Sequence, residues 1–186
     1  MKLIAITMPA FFNGEAAAIN RLFANGSISL LHLRKPDSTI GECRQLLDQI
    51  SPVWLPSIVV HDHLTLCNEY SLHGIHLNRR NPTPPPCCHG SRSCSCHSLE
   101  EVAERKPHMD YVFLSPIFDS ISKQGYRSNF SDSMLRKAAA EGIIDHKVVA
   151  LGGVTRSSLP LLEAYGFGGA AMLGDIWSHL SDYAGA

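Results

Sequence analysis

The residues able to do chemistry come in short bursts, each at the end of an apolar run. His32 and Arg34 close SLLHLR, with Lys35 just beyond, and His61, Asp62 and His63 follow SIVV. His76, Asn78 and Arg79 sit at the end of GIHL, and Ser95 and His97 close SCSCH. A later polar loop carries Ser120, Ser122 and Lys123. The last two runs, KVVALGG and GAAMLGD, deliver glycines instead: Gly152, Gly153 and Gly174. Imidazole moves protons near neutral pH. Arginine and lysine hold anions. Glycines let the backbone approach a bulky group, and a following helix offers it free N–H groups. One rim bearing all of these suits a small phosphorylated substrate.

Strand alternation sorts these residues by face, because side chains at i and i+2 point the same way. His32 and Arg34 share one face, with Leu31 and Leu33 on the other. Ser95 and His97 share a face, with Cys94 and Cys96 opposite. If the leucines pack against helices, the polar set points inward. Plainer roles compete. Arg34 could pair with a nearby carboxylate, although an inward arginine on an apolar strand needs an anion. His97 is balanced between a satisfied helix-start histidine and a proton carrier. Asp62 could cap the helix after it, or join His61 and His63 around a metal. His76 reads as structural, and Lys123 by default as solvated.

These bursts need a scaffold that gathers strand ends. Strands are expected at Leu3–Thr7, Ser29–Arg34, Ser57–His61, Gly74–Leu77, Ser93–Cys96, Asp110–Leu114, Lys147–Leu151 and Gly169–Leu173. Helical segments alternate with them at Asn13–Ala24, Ile40–Ile50, Leu64–Tyr70, after Ser98, Ser131–Glu141 and Ser157–Tyr165. Ser98 with Glu101 has capping-box spacing. Residues 78–92 are a loop, because Pro82, Pro84, Pro85 and Pro86 remove donors and forbid helix. Eight βα units without a composition break favour a single domain over residues 1–186, a closed (β/α)8 TIM barrel with its active site at the strand C-termini. Little chain follows the last strand, so the eighth helix is shortened, and a homodimer partner is one way to cover the gap.

Composition narrows the function class. The 186 residues are 45% hydrophobic and 18% charged, an ordinary soluble composition. A net charge of −1 gives no electrostatic reason to expect nucleic acid or an anionic membrane. No apolar run reaches the ~20 residues of a span, and the N-terminus lacks a signal-peptide pattern, so a cytoplasmic protein is expected. Cys87, Cys88, Cys94 and Cys96 cluster with His89 and His97. Their spacing matches no zinc ribbon or finger, and reduced thiols are expected.

Taken in order, the motifs resemble thiamine phosphate synthase and its relative TenI, the thiazole tautomerase. They are LHLRK, VHD, GIHL, SCHSLEEV, DYVFLSPIFDSISK, and VVALGGV with GFGGAAML. The resemblance implies a β/α barrel acting on thiazole phosphate. It implies one of two reactions: Mg²⁺-dependent joining of a pyrimidine diphosphate to the thiazole phosphate with release of pyrophosphate, or isomerisation of a thiazole phosphate carboxylate without cofactor. Carried over residue by residue, Arg34 matches the diphosphate-contacting arginine, Asp62 a magnesium aspartate and Ser95 the strand-five serine. Ser120, Ser122 and Lys123 match the pyrophosphate loop, Gly152 and Gly153 the thiazole-phosphate glycines, and His97 the proton-transferring histidine of TenI.

Departures tilt the expectation. The second magnesium aspartate falls at Asn81, the lysine of the family's REK at Pro36, and the last phosphate loop reads Gly174-Asp175. A hard Mg²⁺ wants carboxylates, so the tautomerase is narrowly favoured, with catalytic His97, Arg34, Ser95 and Lys123. Phosphate contacts are then expected from His32, Ser120, Ser122, Gly152, Gly153 and Gly174, with Asp62 and Asn81 as the metal pair if the protein is a synthase. A non-catalytic binder of thiazole or thiamine phosphate is the third reading.

Overall fold

The structure, a computed structural model, describes residues 1–119 and 130–184. Eight parallel strands close a barrel in sequence order: β1 (Lys2–Ile6), β2 (Leu30–Leu33), β3 (Ile58–Val60), β4 (Gly74–Leu77), β5 (Ser91–Cys96), β6 (Tyr111–Leu114), β7 (Val148–Leu151) and β8 (Gly169–Met172). Closure comes from β8 pairing with β1, Ala171 opposite Ile4. The helices are α1 (Glu15–Ala24), α2 (Ile40–Leu47), α3 (Leu66–Glu69), α4 (Leu99–Arg105), α5 (Asp132–Ala140), α6 (Leu159–Ala164), α7 (Gly174–Ser178) and α8 (Leu180–Ala184). This is the expected (β/α)8 barrel.

Two apolar layers follow from alternation. Leu31, Leu33, Val60, Ile75, Cys94, Cys96 and Val112 look outward and pack under the helices. Ile4, Ile6, Leu30, Val59, Phe113, Val149 and Ala171 fill the barrel interior. Such interiors are usually filled by branched apolar side chains. Here the sector lined by β2 to β5 is polar instead, with His32, His76 and Ser93 buried. The strands are shorter than the apolar runs by a residue or so at each end, because ladder pairing stops where the rim residues turn out. Only β5 gains length, beginning at Ser91 rather than Ser93.

Helix starts are local chemistry. Thr39 and Glu42 make a full capping box on α2. At α4 Ser98 Oγ accepts from Glu101 N–H. Glu101, however, does not return to Ser98 as expected: its carboxylate accepts from the His97 N–H at 2.7 Å, which ties the end of β5 to α4. The C-terminal gap is filled by α7 and α8. Tyr183 on α8 is buried, and its carbonyl accepts from Asn25 and Ser27 at the end of α1.

Candidate active site

Two cavities open at the C-terminal ends of the strands. One, of about 570 Å³, is lined among others by His61, Asn78, Arg79 and Arg80. The other, of about 440 Å³, is lined by Gly152, Gly153, Thr155, Gly174 and Ser178. Arg34, Ser95, His97 and Leu151 border both. The inward face expected for Arg34, Ser95 and His97 therefore places them on the wall between two compartments. Among the described residues Arg34 makes no ion pair, and its backbone N–H is fixed by Thr7 Oγ1 at 2.9 Å. Its charge is free for an anion.

Gly152 and Gly153 have φ of +91° and +63°, where side chains are strained. A Cβ on Gly152 would meet Pro116 Cα at 2.8 Å, and one on Gly153 would meet the Asp119 carbonyl at 2.5 Å. These glycines let the turn after β7 lie directly on the segment after β6. Asp175 shares this cavity. Its carboxylate is turned onto the Arg156 N–H at 3.2 Å and the Tyr183 hydroxyl.

His97 has a defined tautomer. Its Nδ1 lies 3.1 Å from the Ser115 carbonyl, which can only accept, so Nδ1 carries the proton. Nε2 is left as an acceptor.

Asp62 is the candidate metal aspartate. Its Oδ1 accepts from Arg80 Nη2 at 2.8 Å and Nε at 3.1 Å, and Asn81 Nδ2 lies 3.4 Å away. Asp62 Oδ2 is buried without a partner among the described residues. An orphaned carboxylate oxygen of this kind is costly unless a cation takes it. Asp62 and Asn81 are thus adjacent as expected, and Oδ2 fits a magnesium ligand. Arg80, absent from the expected set, already neutralises the other oxygen. It lies in the proline-rich loop, where composition alone signals only irregular chain.

His32 is placed differently from expectation. It is fully buried inside the barrel, not on the rim. Its Nδ1 bonds His61 Nε2 at 2.8 Å and its Nε2 bonds Tyr111 Oη at 2.8 Å. Beside it His76 stacks on His61 with ring centroids 4.2 Å apart. His76 bonds Ser93 Oγ through Nδ1 and Ser95 Oγ through Nε2, both at 2.9 Å. Burial drives all three imidazoles to the neutral form. His76 is pushed down to about 3 by desolvation and then by the Arg34 charge, and His32 and His61 lie well below their ordinary value, again chiefly from desolvation. The three histidines bring ligand atoms within 4.8 Å of one another. Their nitrogens are spent on each other and on Tyr111 and the serines, and two rings are parallel rather than convergent. The group is a hydrogen-bonded column.

Cys94 and Cys96 look into the strand–helix layer as expected, and the described cysteines are free thiols. Among the described residues they form no metal-sized ligand group. Ser120, Ser122 and Lys123 lie outside the described residues.

The family model described as Thiamine monophosphate synthase matches residues 3–176. The chain belongs to this family. A curated thiamine-phosphate synthase of Histophilus somni is 29% identical over 63% of this chain and 56% of its own length. One from Leptospira biflexa is 25% identical over 81% of this chain and 77% of its own length. A crystal structure of thiamine phosphate pyrophosphorylase from Bacteroides thetaiotaomicron superposes with a TM-score of 0.88 at 45% identity, covering 96% of this chain and 85% of that one. These relatives carry the synthase or pyrophosphorylase name, which supports the synthase alternative over the tautomerase favoured from the sequence. No helix among the described residues is long and apolar enough to cross a membrane.

Proposed function

We propose that the protein is a thiamine-phosphate synthase, joining a pyrimidine diphosphate to a thiazole phosphate. The observation that carries this reading is the pair of cavities meeting at Arg34, Ser95 and His97. A condensation needs two substrates bound side by side with reacting atoms at a shared wall; an isomerisation needs one pocket. The larger cavity has Arg34, Arg79 and Arg80 on its lining, the charge a diphosphate requires. The glycine-lined cavity would take the thiazole phosphate. A thiazole ring nitrogen attacks the pyrimidine carbon that bears the diphosphate. The C–N bond forms as the C–O bond breaks, and the electron pair leaves on pyrophosphate. Cations preorganised around the leaving group stabilise that charge. Arg34 is placed to do so from the wall, with Lys123 of the following loop as a further cation.

Magnesium bound at Asp62 Oδ2 and the Asn81 side-chain oxygen would supply added neutralisation of the diphosphate. The second carboxylate of the expected pair is absent, and Arg80 provides fixed positive charge on the same aspartate.

Equilibrium binding tests the two compartments. Inorganic pyrophosphate with magnesium and thiazole phosphate should bind the same molecule together, each with affinity changed less than about threefold by the other. Mutually exclusive binding would contradict the reading. One observation favours a tautomerase as second reading: the His97 Nε2 lone pair at the shared wall. Metal-independent isomerisation of the thiazole phosphate carboxylate, lost in His97→Gln, would establish it.

A further inference from the structure

Ser93 is fully buried, and its hydroxyl lies 3.3 Å from the Ile75 carbonyl. A carbonyl only accepts, so the single Ser93 proton is committed to Ile75. Ser93 Oγ must therefore accept from His76, and His76 Nδ1 carries the ring proton. A neutral ring has one N–H, so His76 Nε2 is a lone pair. It lies 2.9 Å from Ser95 Oγ, and Ser95 must donate to it. Every proton in the row is thus assigned: Ser95 to His76, His76 to Ser93, Ser93 to Ile75. The row is sealed at one end by backbone. At the other end Ser95 borders both cavities.

We propose that His76 is a positioning residue that holds Ser95 as a hydrogen-bond acceptor toward the substrate. The Ser95 proton points into the barrel, so what Ser95 Oγ offers the cavities is lone pairs. Those suit an N–H of the pyrimidine or the electron-poor carbon that loses the diphosphate. They do not suit phosphate oxygens, which are acceptors themselves. Turning Ser95 to donate to a phosphate would leave His76 Nε2 buried and unpaired, which costs about 1–3 kcal/mol. Ser95 therefore recognises the carbon–nitrogen part of the substrate and leaves the anions to arginines and backbone. The inference rests on the synthase reading for the identity of that substrate, but not for the proton assignment.

The test is nitrogen NMR of ¹⁵N-histidine protein, with the His76 resonances assigned by their loss in His76→Gln. The expected spectrum has Nδ1 protonated and Nε2 unprotonated, unchanged from pH 8 to pH 5. Ser93→Ala removes the acceptor and should move the proton to Nε2. It should lower kcat at least tenfold, as a wrong imidazole tautomer does in other sites, with inorganic pyrophosphate affinity within about twofold. In Ser95→Ala the Ser93→Ala change should have no further effect on kcat, because His76 acts through Ser95. A wild-type His76 protonated at Nε2 would overturn the proposal, as would pyrophosphate binding weakened tenfold or more by Ser95→Ala. Should synthase turnover be absent altogether, the spectrum still decides the proton assignment, so failure of the function and failure of the lock are read separately.

Discussion

Asp62 shows how much a single side chain can settle and what it leaves to its neighbours. Its Oδ2 is buried without a partner, while Oδ1 is held by Arg80. A second carboxylate at position 81 would add a negative donor beside the orphaned oxygen, and calcium- and magnesium-type sites tune affinity by ligand charge. Asn81→Asp should tighten Mg²⁺ binding about tenfold by calorimetry. Unchanged affinity would show that the ion, if bound, sits elsewhere. Alternation alone sorted Arg34, Ser95 and His97 inward, because side-chain period is a property of the strand itself. The Arg80–Asp62 pair was not legible, since nothing in a proline-rich loop states where its side chains reach. Nor was the depth of His32. A histidine on an apolar strand looks the same one layer above or below the rim, and its partners His61 and Tyr111 come from separate strands.

At the scale of elements, the buried pair of Lys35 and Glu15 joins the end of β2 to the start of α1. Lys35 Nζ lies 2.8 Å from both Glu15 oxygens and 2.9 Å from the Ala10 carbonyl. Both side chains are almost wholly excluded from solvent, 0% and 2% exposed. Alternation turned Lys35 away from His32 and Arg34, but its partner could not be read from the sequence. Glu15→Ala would strand an ammonium in that site, and breaking a buried pair from one side costs about 3–5 kcal/mol. Urea unfolding should show a loss of that order; a loss below about 1 kcal/mol would mean that Lys35 escapes to water. The start of α4 is simpler. Ser98→Ala removes one cap and should cost about 1 kcal/mol. The Ser-x-x-Glu spacing found that helix start correctly. It missed that Glu101 serves the His97 N–H, because the side chain's reach depends on how β5 enters the turn.

The whole molecule carries its polar column as a pH dependence. Unfolded, each histidine takes up a proton near pH 6.5; folded, His76 does so only at about 3, held neutral by burial and by the facing Arg34. Between those values the unfolded chain binds more protons, so stability falls as pH drops below 6.5 and is fully present above it. His32 adds in the same direction. Each such histidine contributes about 1.4 kcal/mol per pH unit within that window. The urea midpoint should fall between pH 7 and pH 5, where carboxylates titrate little, and fall less steeply in His76→Gln. A flat profile would mean that the column takes up protons while folded. The barrel itself was readable because eight apolar runs, each followed by a helical segment, leave few other ways to bury both faces of a parallel sheet. The shortened C-terminus was readable too, although not that α7 and α8 would cover α1.

The central claim is that two substrates meet at Arg34, Ser95 and His97. The most direct measurement offers the purified protein pyrimidine diphosphate and thiazole phosphate together and follows thiamine phosphate and pyrophosphate, with and without Mg²⁺. The account predicts equimolar release of both products, stimulated by Mg²⁺ and reduced at least a hundredfold in Arg34→Ala, as loss of a transition-state anion contact does elsewhere. No thiamine phosphate from wild-type protein that binds both substrates, at any Mg²⁺ concentration, would contradict it.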